Sequence, residues 1–443
     1  MPEVDCGPPS DGTWIVPSRR LLRTRRASMK INRKIVYAAL GVLAIALVVN
    51  LGAAIALGLR RPMASDAFYF RDIAENLAAG RGFRQTESLW PGTLTMTRLP
   101  GWPFVVAGVL RMAPGADPDM AMRLTSIAVN SAAAVAVAML AIRLFSRPAV
   151  GLAAGALYAL HPTGIYSTYT GLSEPLFAMT MLGGVLLLLS RGMAWNIAGF
   201  ALVGYACLVR PNYVLWGAAA AGVVTWLALR RRITLDRQTV AIGILGLAMM
   251  ALPVLLWAWR NHQVCGHFPV LSTIQGQTFY GGNNNVVATR GRYWGYWVFP
   301  DQIEGEQTMA SLAGVKSEYE VNRYYQKKGV EFVAGHLSAM PMLWLGKLVR
   351  AFVPVPWNVT VETMAVSVYR WLLFIGAIAG MVLMWSAVDV RYRVALLAMV
   401  AATLATVLWF WGCARFAFAM EPFLIPFAAA AVWRVWERRF RAT

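Results

Sequence analysis

The chain has 443 residues, 58% of them hydrophobic and 14% charged, with a mean hydropathy of +0.53. That balance excludes an ordinary water-soluble domain and implies a polytopic membrane protein built as an all-α helix bundle. The net charge of +20 gathers at the ends of apolar runs, so it reads as topology signals and headgroup contacts rather than as a nucleic-acid footprint.

Residues 1–28 are rich in Pro, Gly and Ser and then basic (Arg19, Arg20, Arg23, Arg25, Arg26). They read as a disordered tail, and Met29 would make a good start of its own. From residue 29 onward the chain reads as one transmembrane domain. Apolar runs predict spans near 35–59, 120–145, 149–169, 174–190, 194–210, 213–229, 239–258, 367–387, 393–411 and 416–434. Arginines at 143, 147, 191, 230–232, 391, 393 and from 434 onward all fall on the cytoplasmic side of this path, with both termini inside. Two further runs, 100–112 and 338–357, are interrupted by Pro and by Arg or Lys. They are expected to lie in the outer interface. Two outward segments, 60–119 and 259–366, are long, and the second contains an amphipathic helix expected over about Lys316 to Val333. Polar, irregular backbone is tolerated only in such places, so these two segments are the candidate site. Cys6, Cys207, Cys265 and Cys413 show no metal-binding spacing, although Cys265 and Cys413 both face outward in this topology and a bridge between them is conceivable. There is no visible internal repeat.

Asp66 stands just past the first span, at the head of a helix-compatible stretch. At 100° per residue it shares a face with Tyr69, Phe70, Ile73 and Leu77, while Arg71 and Glu75 form an i,i+4 pair on the other. Asp66 or Ser65 also suits a helix N-cap, and a cap and a base are not exclusive. A carboxylate at the outer surface can accept a proton from a water-borne substrate while a lipid-borne one lies beside it. Arg98, Arg210, Arg260 and Arg415 map to outer span ends or outer loops, where a guanidinium can hold a headgroup phosphate bidentately or simply snorkel to lipid. Arg260 and Arg415 open directly into outer loops and are the leading phosphate candidates. Glu174, between Ser173 and Pro175, reads as a helix start or as an organiser of the outer loops. His161 precedes Pro162 where an outward span breaks; it suits a metal, a sugar or a purely structural role. Asp117-Pro118-Asp119 resembles a metal-binding DxD but is better explained as an N-cap with Pro at the first helical position. Asn283-Asn284-Asn285, after two glycines, is either an ordinary loop or a patch for sugar hydroxyls, with Tyr293, Trp294 or Trp297 to stack on a sugar face. Asn358-Val359-Thr360 matches a glycosylation sequon.

An outward Asp66 followed by Tyr69, Ala74, Leu77, Gly80, Gly82 and Phe83 resembles the GT-C glycosyltransferases. More narrowly, the chain is similar to the glycosyltransferase 39 group, which includes protein mannosyltransferases, the aminoarabinose transferase of lipid A and the RgtABCD-like galacturonosyl transferases. Arg98-Leu99-Pro100-Gly101-Trp102-Pro103, Leu160-His161-Pro162, Leu172-Ser173-Glu174-Pro175, Leu208-Val209-Arg210-Pro211, Arg260-Asn261, Gly281-Gly282-Asn283-Asn284 and Arg415-Phe416 continue the likeness over roughly residues 30–435. Each motif is weak alone; their order and topology make the set specific. One departure is that several members carry Asp-Glu where this chain has Asp66-Ala67, which leaves a metal role (Mg²⁺ or Mn²⁺) open.

The resemblance implies inverting transfer of a sugar from a polyprenyl-phosphate donor to an acceptor hydroxyl, or to an amine or phosphate, on a glycolipid, lipopolysaccharide or protein. Asp66 would be the general base, Arg98, Arg210, Arg260 and Arg415 would hold the donor phosphate, and Tyr69, His161, Glu174, Asn261, Asn283 and Asn284 would meet sugar or acceptor. The implied setting is the inner membrane, with the site facing outward. No GxGxxG or Walker A sequence points to a nucleotide donor. Two other classes remain: a transporter, which would place ionisable groups at mid-bilayer in repeated halves, and a ligase or polymerase of surface polysaccharide.

Overall fold

A computed structural model describes residues 33–57, 63, 66–289, 291–353 and 361–440. The basic tail over 1–28, Ser65 and the sequon at 358–360 lie outside the described residues. Those described are helical, with no strand among them.

Helix α1 (Arg33–Leu57) buries only a four-residue-spaced stripe, Ala38, Val42, Ala46, Asn50 and Ala54, and leaves Tyr37, Leu40, Val48 and Ile55 exposed. That pattern belongs to a helix packed on one side by small residues and facing lipid on the other. The stripe meets α4 (Pro118–Phe145) and α5 (Pro148–Ala159). The approach is close: a Cβ on Gly155 of α5 would sit 2.5 Å from Val42. Asp117 caps α4 by accepting from the Met120 amide at 2.8 Å, with Pro118 at the first helical position. Asp119 turns away to Arg71 at 3.0 Å, so the DxD-like triplet is used up by capping and an ion pair.

The expected span 149–169 is two helices, α5 and α6 (Pro162–Thr170), broken at Leu160-His161. Pro162 has no amide proton to continue the ladder and forces the residue before it out of the helical region; His161 sits at φ −67°, ψ 115°. Helices α7 (Glu174–Leu188), α8 (Met193–Val209), α9 (Val214–Leu229) and α10 (Arg237–Cys265) follow, then, after the second long connection, α16 (Val361–Met384), α17 (Val390–Trp409), the short α18 (Ala414–Ala417) and α19 (Glu421–Phe440). Among the described residues, six helical stretches are individually long and apolar enough to cross a membrane, and a seventh counts if the bent pair around residue 336 is one span; α5, α7 and α8 are shorter apolar helices. At 1.5 Å per residue, the 15-residue α7 reaches roughly 22 Å, short of a full hydrocarbon crossing. The basic residues expected to share one side share one end: Arg143 donates to the Leu189 carbonyl, Arg391 to those of Leu188 and Ser190, and Arg147 pairs with Glu437.

The two long connections fold onto one another. The first carries α2 (Asp66–Ala78) and α3 (Gly101–Met112). The second carries α11 (Gln275–Gly281), α12 (Asn285–Ala288), α13 (Met309–Ala313), α14 (Glu318–Gly335) and α15 (Met340–Phe352). Helix α3 has twelve residues, too few to cross; α14 and α15 meet at an 81° bend. Glu318 joins the two connections. Its carboxylate accepts from the Met96 amide at 2.8 Å, from Thr95 Oγ1 at 3.1 Å and from Thr273 Oγ1. Burial outweighs these donors and raises its pKa. A raised value in the folded state means the contribution is fully present below the ordinary carboxylate range and lost as pH rises through the raised value. Hydrogen exchange at residues 95–97, relative to its intrinsic dependence on pH, is therefore expected to quicken as pH rises above the ordinary carboxylate range, and Glu318→Gln to flatten that dependence.

Cys207, Cys265 and Cys413 are free, so the conceivable Cys265–Cys413 bridge is not formed. Cys265 instead ends α10, with its thiol toward the His267 carbonyl, while Cys413 precedes α18.

Candidate active site

A cavity of about 820 Å³ opens between the two folded connections and the adjoining helix ends. Asp66 heads α2 at its wall, placed there because α2 packs its Phe70, Ile73 and Ala74 face inward. Arg98 Nη2 lies 3.2 Å from Asp66 Oδ1, and Arg415 Nη1 lies 3.6 Å from Oδ2. Arg415 Nε donates to Glu174 Oε1 at 2.6 Å, and Arg210 Nη1 reaches the same oxygen at 2.9 Å. Five charged groups thus alternate in one chain: Arg98, Asp66, Arg415, Glu174, Arg210. Three cations against two anions leave one positive charge uncompensated, which suits the capture of an anion. The two carboxylates differ in access. Glu174 is fully buried at the start of α7, whereas the Asp66 side chain is 39% exposed. The Tyr69 ring lies 4.8 Å from the Arg98 guanidinium and holds it toward Asp66, and Phe416 faces Arg210 at 5.9 Å.

Asp66, Tyr69, Arg98, Arg210 and Arg415 therefore share one cavity, with Glu174 behind two of the arginines. Sequence alone could not pair them, because their partners lie up to 349 positions apart. The remaining candidates stand elsewhere. Arg260, expected at the donor phosphate, lies on α10, which runs past the expected end of its span. It donates to the carbonyls of Thr95 (2.8 Å) and Phe83 (3.3 Å), between the rings of Phe83 and Trp257. Neighbouring Asn261 is buried, donating to the Pro269 and Leu271 carbonyls. Asn283 donates to the Phe279 and Trp409 carbonyls and accepts from Lys347 Nζ at 2.8 Å. Asn284 caps α12. His161 Nε2 lies 2.8 Å from Glu421 Oε2, whose other oxygen accepts from Arg370 at 2.6 Å; all three side chains are buried where α6, α16 and α19 meet. None of these five lines the cavity. Each sits where backbone groups or charges inside the bundle need partners, a demand that periodicity does not reveal. Accordingly, Arg260→Ala is expected to cost about 1.5–3 kcal/mol of local stability through its lost charged hydrogen bonds. Donor capture should move by no more than about twofold, within ~0.4 kcal/mol, as measured by donor binding to the folded variant.

Trp297 lines the cavity; Tyr293 and Trp294, proposed beside it, do not, and Trp294 instead covers Gly346. Trp411, Tyr296 and Phe299 complete an aromatic wall that the sequence did not single out. Its signal was the density of aromatics around residues 293–299 and 409–411.

Among the described residues no three of His, Cys, Asp and Glu converge into a metal-holding group. Of the two carboxylates in the central charge chain, each already faces two guanidiniums. A divalent cation there would oppose those cations, so the donor set does not fit one.

No family model matches the sequence, and no curated protein matches it significantly. Among solved structures, the crystal structure of the oligosaccharyltransferase of Archaeoglobus fulgidus in its apo form aligns with 91% of this chain at 16% identity, with a TM-score of 0.56. The same enzyme tethered with an acceptor peptide containing the NVT sequon aligns at 0.52, again over 91% of this chain at 16% identity. This chain spans about half of that enzyme, 51% and 50% in the two structures. ArnT from Cupriavidus metallidurans, bound to undecaprenyl phosphate, aligns with 89% of this chain and 77% of its own at 15% identity, with a TM-score of 0.40. At such identities the likeness is one of fold. The class that fold and cavity define is a multi-pass helix bundle with the fold of that oligosaccharyltransferase.

Proposed function

We propose that this protein is a membrane glycosyltransferase that moves a sugar from a polyprenyl-phosphate donor to an acceptor hydroxyl on the outer face of the inner membrane, with inversion and with Asp66 as general base. The observation that carries this reading is the alternating charge chain around one accessible carboxylate. In the transfer, the acceptor O–H gives its proton to Asp66 as its oxygen bonds to the anomeric carbon. The bond from that carbon to the phosphate oxygen breaks on the opposite face, and the leaving polyprenyl phosphate keeps the electron pair. Arg98, Arg210 and Arg415 supply the cationic groups that stabilise the charge developing there. Phosphate entering this cluster relieves Asp66 of part of its ion pairing just when it must accept a proton.

The likeness to an oligosaccharyltransferase supports the reading through fold. The test is purified protein incubated with a panel of polyprenyl-phosphate sugars. Release of polyprenyl phosphate, lost in Asp66→Asn, is expected; no release from any donor by folded protein would sink the proposal. Because the charge chain offers no vacant carboxylate pair, EDTA is expected to leave that release unchanged. Loss of turnover restored by Mg²⁺ or Mn²⁺ would show that the donor set had been misjudged.

A further inference from the structure

The cavity is chemically two-sided. One side holds the three arginines, and among the described residues they are the only cationic ones on its wall. From Phe416, which faces Arg210, a run of rings leads away. Trp411 stands edge-on to Phe416 at 5.1 Å and to Tyr296 at 5.1 Å; Trp297 follows at 6.2 Å from Trp411, and Phe299 at 4.4 Å from Trp297. Tyr296 and Phe299 are exposed at this end. Asp301 lies two residues beyond Phe299. Glu87 also lines the cavity, and Trp90, Ile303 and Met309 pack on one buried cluster of Tyr280, Leu312, Val321 and Tyr325. Beside these aromatic faces the cavity wall carries two carboxylates and the amides of Gln275 and Gln277; the Arg350 guanidinium lies 5.1 Å from the Tyr296 ring but donates to the Trp294 and Arg292 carbonyls and does not line the cavity.

We propose that this far side is the acceptor subsite, and that it takes an uncharged glycan. This rests on the transferase reading and names its acceptor class. A sugar ring has an apolar C–H face that stacks on the negative face of an indole, and a rim of hydroxyls that carboxylates and amides can bond. An isoprenoid tail is the poorer occupant, since it would bury Asp301 and Glu87 against hydrocarbon without partners. An anionic acceptor is repelled by the same carboxylates, and finds the three arginines engaged at the donor phosphate and Arg350 engaged by backbone carbonyls. The cavity volume, towards the upper end for small-molecule sites, has room for an acceptor ring beside the donor sugar. With one hydroxyl of that ring turned toward Asp66, the far wall sets which molecule is glycosylated while the arginine side sets the donor.

The experiment uses the full-length protein with whichever polyprenyl-phosphate sugar it turns over. Octyl glucoside and octyl glucuronide serve as matched acceptors differing only in charge. The glucoside is expected to be used at least tenfold more efficiently. Trp297→Ala is expected to raise the glucoside KM about tenfold with donor KM within twofold, and Trp297→Phe, which keeps a ring face, to restore most of that loss. Detergent-resolved size exclusion confirms that each variant folds. A rise in donor KM instead would make the wall a tail-binding surface and overturn the proposal. So would unchanged KM values in folded Trp297→Ala, or preference for the glucuronide. If no donor is turned over at all, the transferase reading itself fails, which is a distinct result.

Discussion

Asp66→Asn lowers turnover by about a thousandfold, the middle of the range for a lost general base, while donor lipid binds at least as tightly as before. The amide keeps the shape of the side chain at the head of α2 but accepts no proton. It also withdraws a negative charge from between Arg98 and Arg415, which stand 3.2 and 3.6 Å away. Those guanidiniums are then freer for phosphate, so catalysis and donor affinity move in opposite directions. Released polyprenyl phosphate and equilibrium donor binding, measured on the same preparation, separate the two. A variant that loses binding and turnover together would show that Asp66 organises the cavity rather than acting on the acceptor.

Glu174→Ala destabilises the protein by about 3–5 kcal/mol, the cost of removing one partner from a buried ion-pair set. Glu174 is fully buried and a single oxygen faces both Arg210 and Arg415, so its loss leaves two guanidiniums side by side without their common anion. Glu174→Gln keeps the volume and one acceptor and is expected to cost about 1–3 kcal/mol. Because polyprenyl phosphate would replace the missing charge, adding it should stabilise Glu174→Gln more than the unaltered protein, read as a larger rise in thermal midpoint in detergent. Equal rises would place the phosphate away from this chain of charges.

Much of the scaffold around these residues was legible in the order of amino acids. The apolar runs marked α1, α4, α9, α10, α16 and α17, and Asp117-Pro118 marked the start of α4. The i,i+4 spacing of Arg71 and Glu75 gave a pair that the structure closes at 3.0 Å. His161-Pro162 marked a break, though the sequence reading still counted one span where two helices stand. These are local properties, settled by hydropathy summed over neighbours and by backbone chemistry within a turn.

Which arginine faces the cavity was not legible. Arg260 and Arg415 each open into an expected outer loop and look equivalent along the chain, yet one is bound to the carbonyls of Phe83 and Thr95 and the other bridges two carboxylates. Asn283 and Asn284 look like exposed turn residues and instead satisfy buried backbone. The sequence by itself determined a multi-pass helix bundle and an aspartate heading the first helix after the first span. Tertiary structure alone decided that this aspartate meets Arg98 and Arg415, that Glu174 lies behind them, and that Trp411 and Trp297 form the opposite wall. The reason is physical: a helix follows from interactions within a few residues, whereas a charge or ring takes its role from partners brought near by packing, hundreds of positions away.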